Sequence, residues 1–284
     1  MNIIMVIDYK ATISYINLLK EDLAIFRIKP NEGQVPDFKA GQYLTLGIFN
    51  LDEQKMDRRA YSIASPPQQK KYFELVIRWL KRPVPGKSTT HLFDKKEGEE
   101  VCWLKPAGTF TINETMIEGY PDDRRMVLVG GDTGLAPFIS YSLYLKSIGT
   151  KREIIVLHGV ENMDELIYRE LLTDLEDQSL DQGEDKWNFR YRASISRYQE
   201  WINRSWNGHK GQVESFLMAE PGEDKSPLEK LIGETINPQN TSFYVCGWQN
   251  TINGVLDSIV PKGFVTERNK RKDGSFDIKV ESYG

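Results

Sequence analysis

Apolar and polar positions alternate along the first part of the chain. The segment 24–28 alternates, and the segments 41–46 and 72–79 are rich in residues that favour strands. Proline and glycine separate these segments, at Pro36, at Pro66 and Pro67, and at 83–86. Many short strands joined by long loops are typical of a closed sheet, so the pattern predicts an N-terminal antiparallel β-barrel.

Continuous apolar runs replace the alternation after a polar link at 121–125. The runs 126–129 and 154–157 have the composition of strands that are buried on both faces of a parallel sheet. Helical apolar spacing is found at 135–145, 163–176 and 250–259, and the predicted strand 243–247 ends in glycine. We expect a β-barrel domain over 1–121 and a doubly wound α/β domain over 122–284, with 174–185 as a solvated acidic loop.

Composition and charge exclude several classes of function. The formal net charge of −4 argues against nucleic acid as a partner, because phosphate binding favours a basic surface. No apolar run reaches the roughly 18 residues of a membrane span, and the apolar N-terminus lacks a basic leader, so we expect a cytoplasmic protein. Only Cys102 and Cys246 are present, and the three histidines lack metal-ligand spacing. We therefore expect no metal site, and any redox cofactor is organic or lies on a partner.

The tetrapeptide Arg59-Ala60-Tyr61-Ser62 combines three groups that suit a planar phosphorylated cofactor. A guanidinium can hold a phosphate through two hydrogen bonds, and a tyrosine two positions later offers a flat ring. The serine hydroxyl can bind a ring nitrogen. The alternative interpretation is an ordinary strand with alternating exposed and buried residues.

Two further segments have the chemistry of phosphate sites. The loop Gly86-Lys87-Ser88-Thr89 can present successive backbone N–H groups to an anion, although Ser88 and Thr89 can equally cap a helix. The turn 130–134 follows a buried strand and opens a helix, which is the context of a dinucleotide pyrophosphate site. A plain strand-to-helix turn is the alternative there.

Taken in order, these segments resemble the motifs of the ferredoxin–NADP reductase family over nearly the whole chain. The shared motifs are RxYS at 59–62, the phosphate loop at 86–89, a GxF turn at 108–110, the glycine turn at 130–134, Ser-Arg at 196–197 and Cys-Gly at 246–247. The resemblance implies FAD in the barrel and NADP(H) on the α/β domain. It also implies hydride exchange between the two, with single electrons passing to or from a separate ferredoxin or flavodoxin.

The resemblance also implies roles for single residues in the barrel. Arg59 would hold the FAD pyrophosphate, Tyr61 would stack on the isoalloxazine ring, and Ser62 would bond near its N5 atom. Gly86, Lys87, Ser88 and Thr89 would meet the pyrophosphate mainly through backbone groups. Ala60 and Ile77 complete the predicted flavin-binding set.

In the α/β domain, the resemblance places Thr133 and Gly134 against the nicotinamide nucleotide, and Cys246 with Gly247 beside the nicotinamide. Ser62, Cys246 and Glu281 are the expected catalytic positions. The C-terminal Val-Glu-Ser-Tyr resembles an ending in which the tyrosine, here Tyr283, returns to cover the flavin. A solvated final strand is the alternative.

Ser196 and Arg197 predict a preference for NADP(H), because they can bind a ribose 2′-phosphate. The second basic residue common in the family is missing from the stretch 211–213, which reads Gly-Gln-Val. Lys210 or Arg204 can substitute for it as a phosphate ligand. Trp248 follows Cys-Gly where the family has another pattern.

Three functions compete with a ferredoxin–NADP(+) reductase. One is a reductase component that serves a cytochrome or an oxygenase, another is a non-catalytic flavin electron-transfer subunit, and the third is a cofactor-free binding module. An acidic ferredoxin would require a basic patch on the flavin domain. Six cations could form it: Lys39, Lys70, Lys71, Lys81, Arg82 and Lys87.

Overall fold

The computed structural model describes residues 8–50, 53–80, 87–116, 119–182 and 187–283, with only the backbone described for Lys87 and Gln182. The chain divides into two compact units. The first comprises Met1–Thr111 with Ile139–Tyr144, and the second comprises Ile112–Phe138 with Leu145–Gly284. The boundary predicted at residue 121 falls inside the second unit.

The first unit contains, in its described part, an antiparallel sheet of six strands, one short helix and the helical residues 139–144. The strands and the short helix are β1 (Tyr9–Lys20), β2 (Leu23–Pro30), β3 (Tyr43–Asn50), β4 (Lys55–Ser62), β5 (Phe73–Arg78), α1 (Lys87–Phe93) and β6 (Glu100–Trp103). The strand order is β4-β3-β6-β1-β2-β5, and all pairings are antiparallel. A bridge from Ile63, directly after β4, to Leu75 of β5 joins the two outer strands. The predicted antiparallel barrel is confirmed.

The barrel core explains why the sequence alternates. Ala24, Phe26 and Ile28 of β2 are fully buried, and the residues between them are more exposed. Successive side chains of a strand point to opposite faces, so every second position fills the interior. Full burial of a side chain such as Phe26 contributes about 1.5–3 kcal/mol relative to exposure.

The second unit is a parallel sheet with helices between its strands. The elements of this part of the chain are β7 (Arg125–Gly131), α2 (Ala136–Ser147, whose residues 139–144 belong to the first unit), β8 (Glu153–Val160), α3 (Arg169–Gln182), β9 (Asn188–Ile195), β10 (His209–Lys210), α4 (Pro227–Ile232), β11 (Thr241–Gly247), α5 (Gln249–Ile259) and β12 (Ile278–Ser282). The order is β10-β9-β8-β7-β11-β12 with every pairing parallel. This confirms the predicted doubly wound α/β domain.

The strand order reverses beside β7. The chain runs from β7 outward through β8, β9 and β10, and then returns to place β11 and β12 on the other side of β7. In open α/β sheets, ligands bind at the carboxyl ends of the strands where the order reverses. The ends of β7 and β11 are therefore where a dinucleotide site is expected.

Two boundaries predicted from the sequence differ from the structure. A short 3₁₀ turn occupies Met163–Glu165, and α3 begins only at Arg169, after Tyr168 adopts a positive φ of 57°. The solvated loop expected at 174–185 is wrong over 174–182, which is helical. Leu172, Leu175 and Ser179 are buried at helical spacing, so the acidic residues between them form the outer face of a helix.

Candidate functional site

The glycine turn at the end of β7 is packed directly on the end of β11. Residues Asp132–Leu135 form a 3₁₀ turn that leads into α2. A Cβ atom at Gly134 would lie 2.2 Å from the carbonyl oxygen of Cys246, so only glycine fits there. The turn and the end of β11, which both carry predicted nucleotide-binding residues, meet where the strand order reverses.

The phenol of Tyr283 is bound to this turn. Its hydroxyl donates to the carbonyl oxygen of Gly131 and accepts the backbone N–H of Gly134 at 2.9 Å. The ring packs edge-on against Trp248, with centroids 5.3 Å apart. Burial, reinforced by the negative charge of Asp132, raises the pKa of this phenol well above its ordinary value, so the hydroxyl stays protonated.

Cys246 lies inside the sheet. It pairs with Gly130 of β7 and with Glu281 of β12, and its side chain is fully buried. Burial, with the nearby Glu281 carboxylate, raises the pKa of the Cys246 thiol well above its ordinary value. The thiol is therefore neutral at physiological pH and suits packing against a ring better than nucleophilic attack. The catalytic roles expected for Cys246 and Glu281 stay predictions.

His158 is hydrogen-bonded to the backbone of the glycine turn. Its Nε2 lies 3.2 Å from the carbonyl oxygen of Asp132, and this nitrogen must donate because a carbonyl only accepts. Asp132 has a positive φ of 53°, a conformation that costs a non-glycine residue about 1–3 kcal/mol. Complete burial lowers the pKa of His158 to about 4, so the ring is neutral. The sequence showed no metal-ligand spacing for this residue and gave no other signal of its role.

Ser196 and Arg197 continue the ladder beyond β9. The N–H of Ser196 donates to Val160 and the N–H of Arg197 donates to Glu161, each at 3.0 Å. Both residues thus lie at the carboxyl edge of the sheet. Arg197 is also paired with two carboxylates, those of Glu161 and Glu200, which the sequence analysis did not identify. The position of Glu161, directly after the second parallel strand, was the available signal.

The predicted flavin motif forms the last half of β4. Arg59 and Tyr61 lie two positions apart and therefore share one face of the strand. The hydroxyls of Tyr61 and Thr89 are 2.9 Å apart, which brings the motif together with the start of α1. The side chain of Arg59 is exposed and has no ion pair with a described residue. The structure thus joins two of the motifs that the sequence analysis assigned to FAD.

Some predicted flavin ligands are placed differently or not described. The side chain of Ile77 is 2% exposed and packs in the barrel core, so a contact from this position would come from its backbone. Gly86 lies outside the described residues, and so do Lys81 and Arg82 of the predicted basic patch. Lys39 and Lys71 are exposed, and Lys70 is paired with Asp37 at 2.8 Å.

The residues present fit both nucleotides. In the barrel, an exposed guanidinium, a half-buried tyrosine and a helix start share one region, and the buried Ser88 hydroxyl has no hydrogen-bond partner among the residues that the structure describes. In the α/β unit, the hydroxyl of Tyr283 accepts the hydrogen bond of the Gly134 N–H, a donor that an oxygen of a bound nucleotide could also use.

Two properties of the described residues bear on other functions. No group of histidine, cysteine and carboxylate side chains there is arranged to hold a metal ion. No helix among the described residues has the length and apolarity to cross a membrane.

Family models match both parts of the chain. A model described as oxidoreductase FAD-binding domain matches residues 10–112, and one described as oxidoreductase NAD-binding domain matches residues 128–256. Among solved structures, a ferredoxin NADP+ reductase from Neisseria gonorrhoeae with bound FAD and NADP superimposes with a TM-score of 0.75. The match has 20% identity and covers 97% of this chain and 98% of that one.

The relatives among curated proteins are named as subunits of an NADH-quinone reductase. A subunit of the Na(+)-translocating NADH-quinone reductase of Marinomonas sp. (strain MWYL1) is 27% identical over 254 residues, which is 78% of this chain and 56% of the relative. The corresponding subunit of the Pseudoalteromonas haloplanktis enzyme is 29% identical over 201 residues, 67% of this chain and 60% of the relative. The chain thus spans a little over half the length of these two relatives.

Proposed function

Because the chain belongs to the ferredoxin–NADP reductase family, a group of two-domain flavin reductases, we propose that it oxidises a nicotinamide dinucleotide and passes the electrons through FAD to a separate one-electron carrier. Bound FAD supplies the conversion between two-electron and one-electron transfer. The protein binds and orients the two nucleotides.

One observation carries the proposal: the glycine turn after β7 is packed on the end of β11 where the strand order reverses. In this proposal, the backbone N–H groups of Thr133 and Gly134 bind the dinucleotide. The hydrogen bond from the Gly134 N–H to the protonated phenol of Tyr283 is broken when the dinucleotide binds. Cys246 and Gly247 form the wall beside the nicotinamide. Because the Cys246 thiol is buried and neutral, it would pack against the nicotinamide as an apolar group and would not act as a nucleophile.

In the barrel, Arg59 would neutralise the FAD pyrophosphate, and Tyr61 would present its ring to the isoalloxazine. The hydrogen bond between Tyr61 and Thr89 limits rotation of that ring. Ser88 and Thr89 add polar groups at the start of α1, and Ser62 lies next to Tyr61 at the end of β4.

Ferredoxin or flavodoxin is the proposed acceptor. The 284 residues contain two cysteines, which cannot hold a four-cysteine iron–sulfur cluster, so a one-electron centre of that kind would lie outside these residues. The exposed Lys39 and Lys71 support docking of an acidic carrier. The cytoplasmic location stays a prediction.

A second candidate has its own observation. The curated relatives are named as subunits of an NADH-quinone reductase, which favours a flavin component that feeds a larger complex. In that case quinone or a partner subunit would replace ferredoxin as the acceptor.

Anaerobic stopped-flow spectroscopy tests the proposal. The FAD-loaded protein is mixed with NADH or NADPH, and the reduced protein is then mixed with ferredoxin, flavodoxin, cytochrome c or a soluble quinone. We expect bleaching of the flavin by a dinucleotide and rapid reoxidation by ferredoxin or flavodoxin. Protein that stays colourless with added FAD would overturn the proposal, and reoxidation by quinone alone would favour the second candidate.

A further inference from the structure

Arg197 is held between two carboxylates at the edge of the parallel sheet. Its Nη2 lies 2.8 Å from Oε2 of Glu161, and its Nη1 lies 3.3 Å from Oε1 of Glu200. The three groups together carry one net negative charge. The sequence prediction of a phosphate-binding arginine considered only the positive member of this group.

The positions of the two carboxylates are set by the backbone. Glu161 follows β8, and its carbonyl accepts the N–H of Arg197. The N–H of Glu200 donates a hydrogen bond to the carbonyl of Arg197 at 3.0 Å, which closes a turn. The side-chain amide of Asn203 donates to the same carbonyl at 2.8 Å, and Asn203 is 1% exposed. The loop is thus anchored from the protein interior.

Two other cations of this region, Arg204 and Lys210, lie over aromatic rings. The guanidinium of Arg204 lies 4.4 Å from the ring centre of Trp201, and the ammonium of Lys210 lies 5.6 Å from that of Tyr198. These two residues were the predicted substitutes for the missing second phosphate ligand. Neither forms an ion pair with the described Glu161 or Glu200 that would offset their charge.

This arrangement suits a ribose that has free hydroxyls. A carboxylate after the second strand of a dinucleotide-binding sheet accepts hydrogen bonds from the 2′-hydroxyl of NAD. A 2′-phosphate carries about −1.5 to −2 charge, and it would approach two carboxylates that share Arg197 as their one ion-pair partner among the described residues. Like charges placed together disfavour the wrong partner.

We infer that Glu161 and Glu200 make this chain select NADH over NADPH, and that Arg197 holds the two carboxylates in place instead of binding a 2′-phosphate. The inference rests on the proposed function, since it specifies the dinucleotide of that same site. It reverses the preference that Ser196 and Arg197 alone predict.

The first test is steady-state oxidation of NADH and NADPH by the FAD-loaded protein, with ferricyanide as the acceptor so that no protein partner is needed. We expect kcat/KM to favour NADH by about tenfold or more. The double variant Glu161→Gln with Glu200→Gln should raise kcat/KM for NADPH at least about tenfold, mainly through KM. Glu223→Gln is the matched control, because Glu223 is an exposed glutamate paired with Lys230 elsewhere in the unit.

Arg197→Gln then separates the two roles of the arginine. In the wild-type background it should leave NADPH a poor substrate. In the double-variant background it should abolish the gain in NADPH use, because Arg197 is then the cation that binds the phosphate. A wild-type preference for NADPH, or a double variant with an unchanged ratio, would overturn the inference.

A binding experiment distinguishes failure of the inference from failure of the proposed function. Calorimetry compares 5′-AMP with adenosine 2′,5′-bisphosphate, which has the extra phosphate of NADPH and requires no electron transfer. We expect wild-type protein to bind 5′-AMP more tightly and the double variant to reverse the order. If neither dinucleotide reduces the flavin while this reversal is seen, the proposed electron transfer fails, but the selectivity that Glu161 and Glu200 give to nucleotide binding stands. Equal affinities in both proteins, or no binding of either probe, overturn the inference.

Discussion

The hydroxyl of Tyr283 accepts the backbone N–H of Gly134 at 2.9 Å and donates to the carbonyl of Gly131, so the C-terminal tyrosine occupies the polar groups of the glycine turn. Strand β12 makes this possible, because its parallel pairing with β11 leads the chain end back to the carboxyl edge of the sheet. A dinucleotide that uses the Gly134 amide must therefore replace the phenol.

Tyr283→Phe should strengthen dinucleotide binding. The substitution keeps the ring on Trp248 and leaves the Gly134 amide without its partner, so binding no longer breaks that hydrogen bond. A hydrogen bond worth about 1 kcal/mol corresponds to roughly fivefold in Kd. Fluorescence titration with NAD+ measures the change. Tyr120→Phe, at an exposed tyrosine of the same unit, is the control, and an unchanged or weaker affinity for Tyr283→Phe would contradict the prediction.

Deletion of residues 283–284 tests the separate expectation that Tyr283 covers the flavin. Stacking on the isoalloxazine should alter the flavin absorbance spectrum when the ring is removed. Comparison of spectra and nicotinamide affinity before and after truncation provides the measurement. Unchanged spectra together with unchanged affinity would rule out that role.

Gly134→Ala should abolish dinucleotide binding and spare FAD binding. The new Cβ would lie 2.2 Å from the Cys246 carbonyl, a backbone atom that cannot move aside, so the turn must shift. Overpacking of this kind costs about 1–3 kcal/mol of stability. Titrations with NAD+ and with FAD measure the two effects.

Gly254→Ala is the matched control for that substitution. Gly254 lies inside α5, and the heavy atoms nearest to its Cβ would belong to the side chain of Glu214, with no backbone atom among the three nearest. Alanine is also the better helix former by about 1 kcal/mol, so this variant should bind both nucleotides normally. Equal dinucleotide affinities for the two variants would show that the packing at Gly134 is not required.

Arg59→Gln should weaken FAD binding by roughly tenfold or more, the value of a hydrogen bond to a charged group. The neighbouring Arg58 is an internal control. Alternation along β4 directs it to the opposite face, where its Nη2 lies 2.5 Å from Asp8. Arg58→Gln should leave the FAD affinity within about twofold, since an exposed ion pair contributes little. Titration of the apoprotein with FAD decides, and equal losses in both variants would contradict the assignment.

The sequence predicted the local chemistry well and the partners across the fold poorly. Alternation in 24–28 and the apolar run 126–129 each reflect how one strand is buried, and both sheets were predicted correctly. The acidic stretch 174–182 was misassigned because, among its described side chains, only Leu175 and Ser179 are buried, and one of the two is polar. Tyr168 interrupts the predicted helix through a backbone conformation that its side chain does not reveal.

The candidate site shows the same division. Gly134 and Arg197 could be selected from their motifs, because the residue types alone suit a nucleotide. Glu161 is separated from Arg197 by the whole of α3 and β9, so their ion pair depends on the parallel register of β8 and β9. The contact between Tyr283 and Gly134 likewise requires β12 to pair with β11.

His158 should make the second unit lose stability as the pH falls. Its folded pKa is about 4, below the ordinary value of 6.5, because burial penalises the charged ring. Between these values the unfolded chain binds more protons than the folded one, so stability falls as the pH is lowered from 6.5 towards 4. The loss reaches at most about 3 kcal/mol, at 1.36 kcal/mol for each unit of pKa difference.

His158→Gln removes the titrating group and keeps an N–H donor for the Asp132 carbonyl, to which the Nε2 of His158 now donates. Urea denaturation followed by circular dichroism at pH 7 and pH 4.5 should therefore show a smaller loss of stability for the variant than for the wild type. Nuclear magnetic resonance of the imidazole provides an independent check, with a titration midpoint expected near 4 in the folded protein. A midpoint at or above 6.5, or parallel losses of stability in the two proteins, would show that the ring is solvated and does not support the Asp132 turn from the interior.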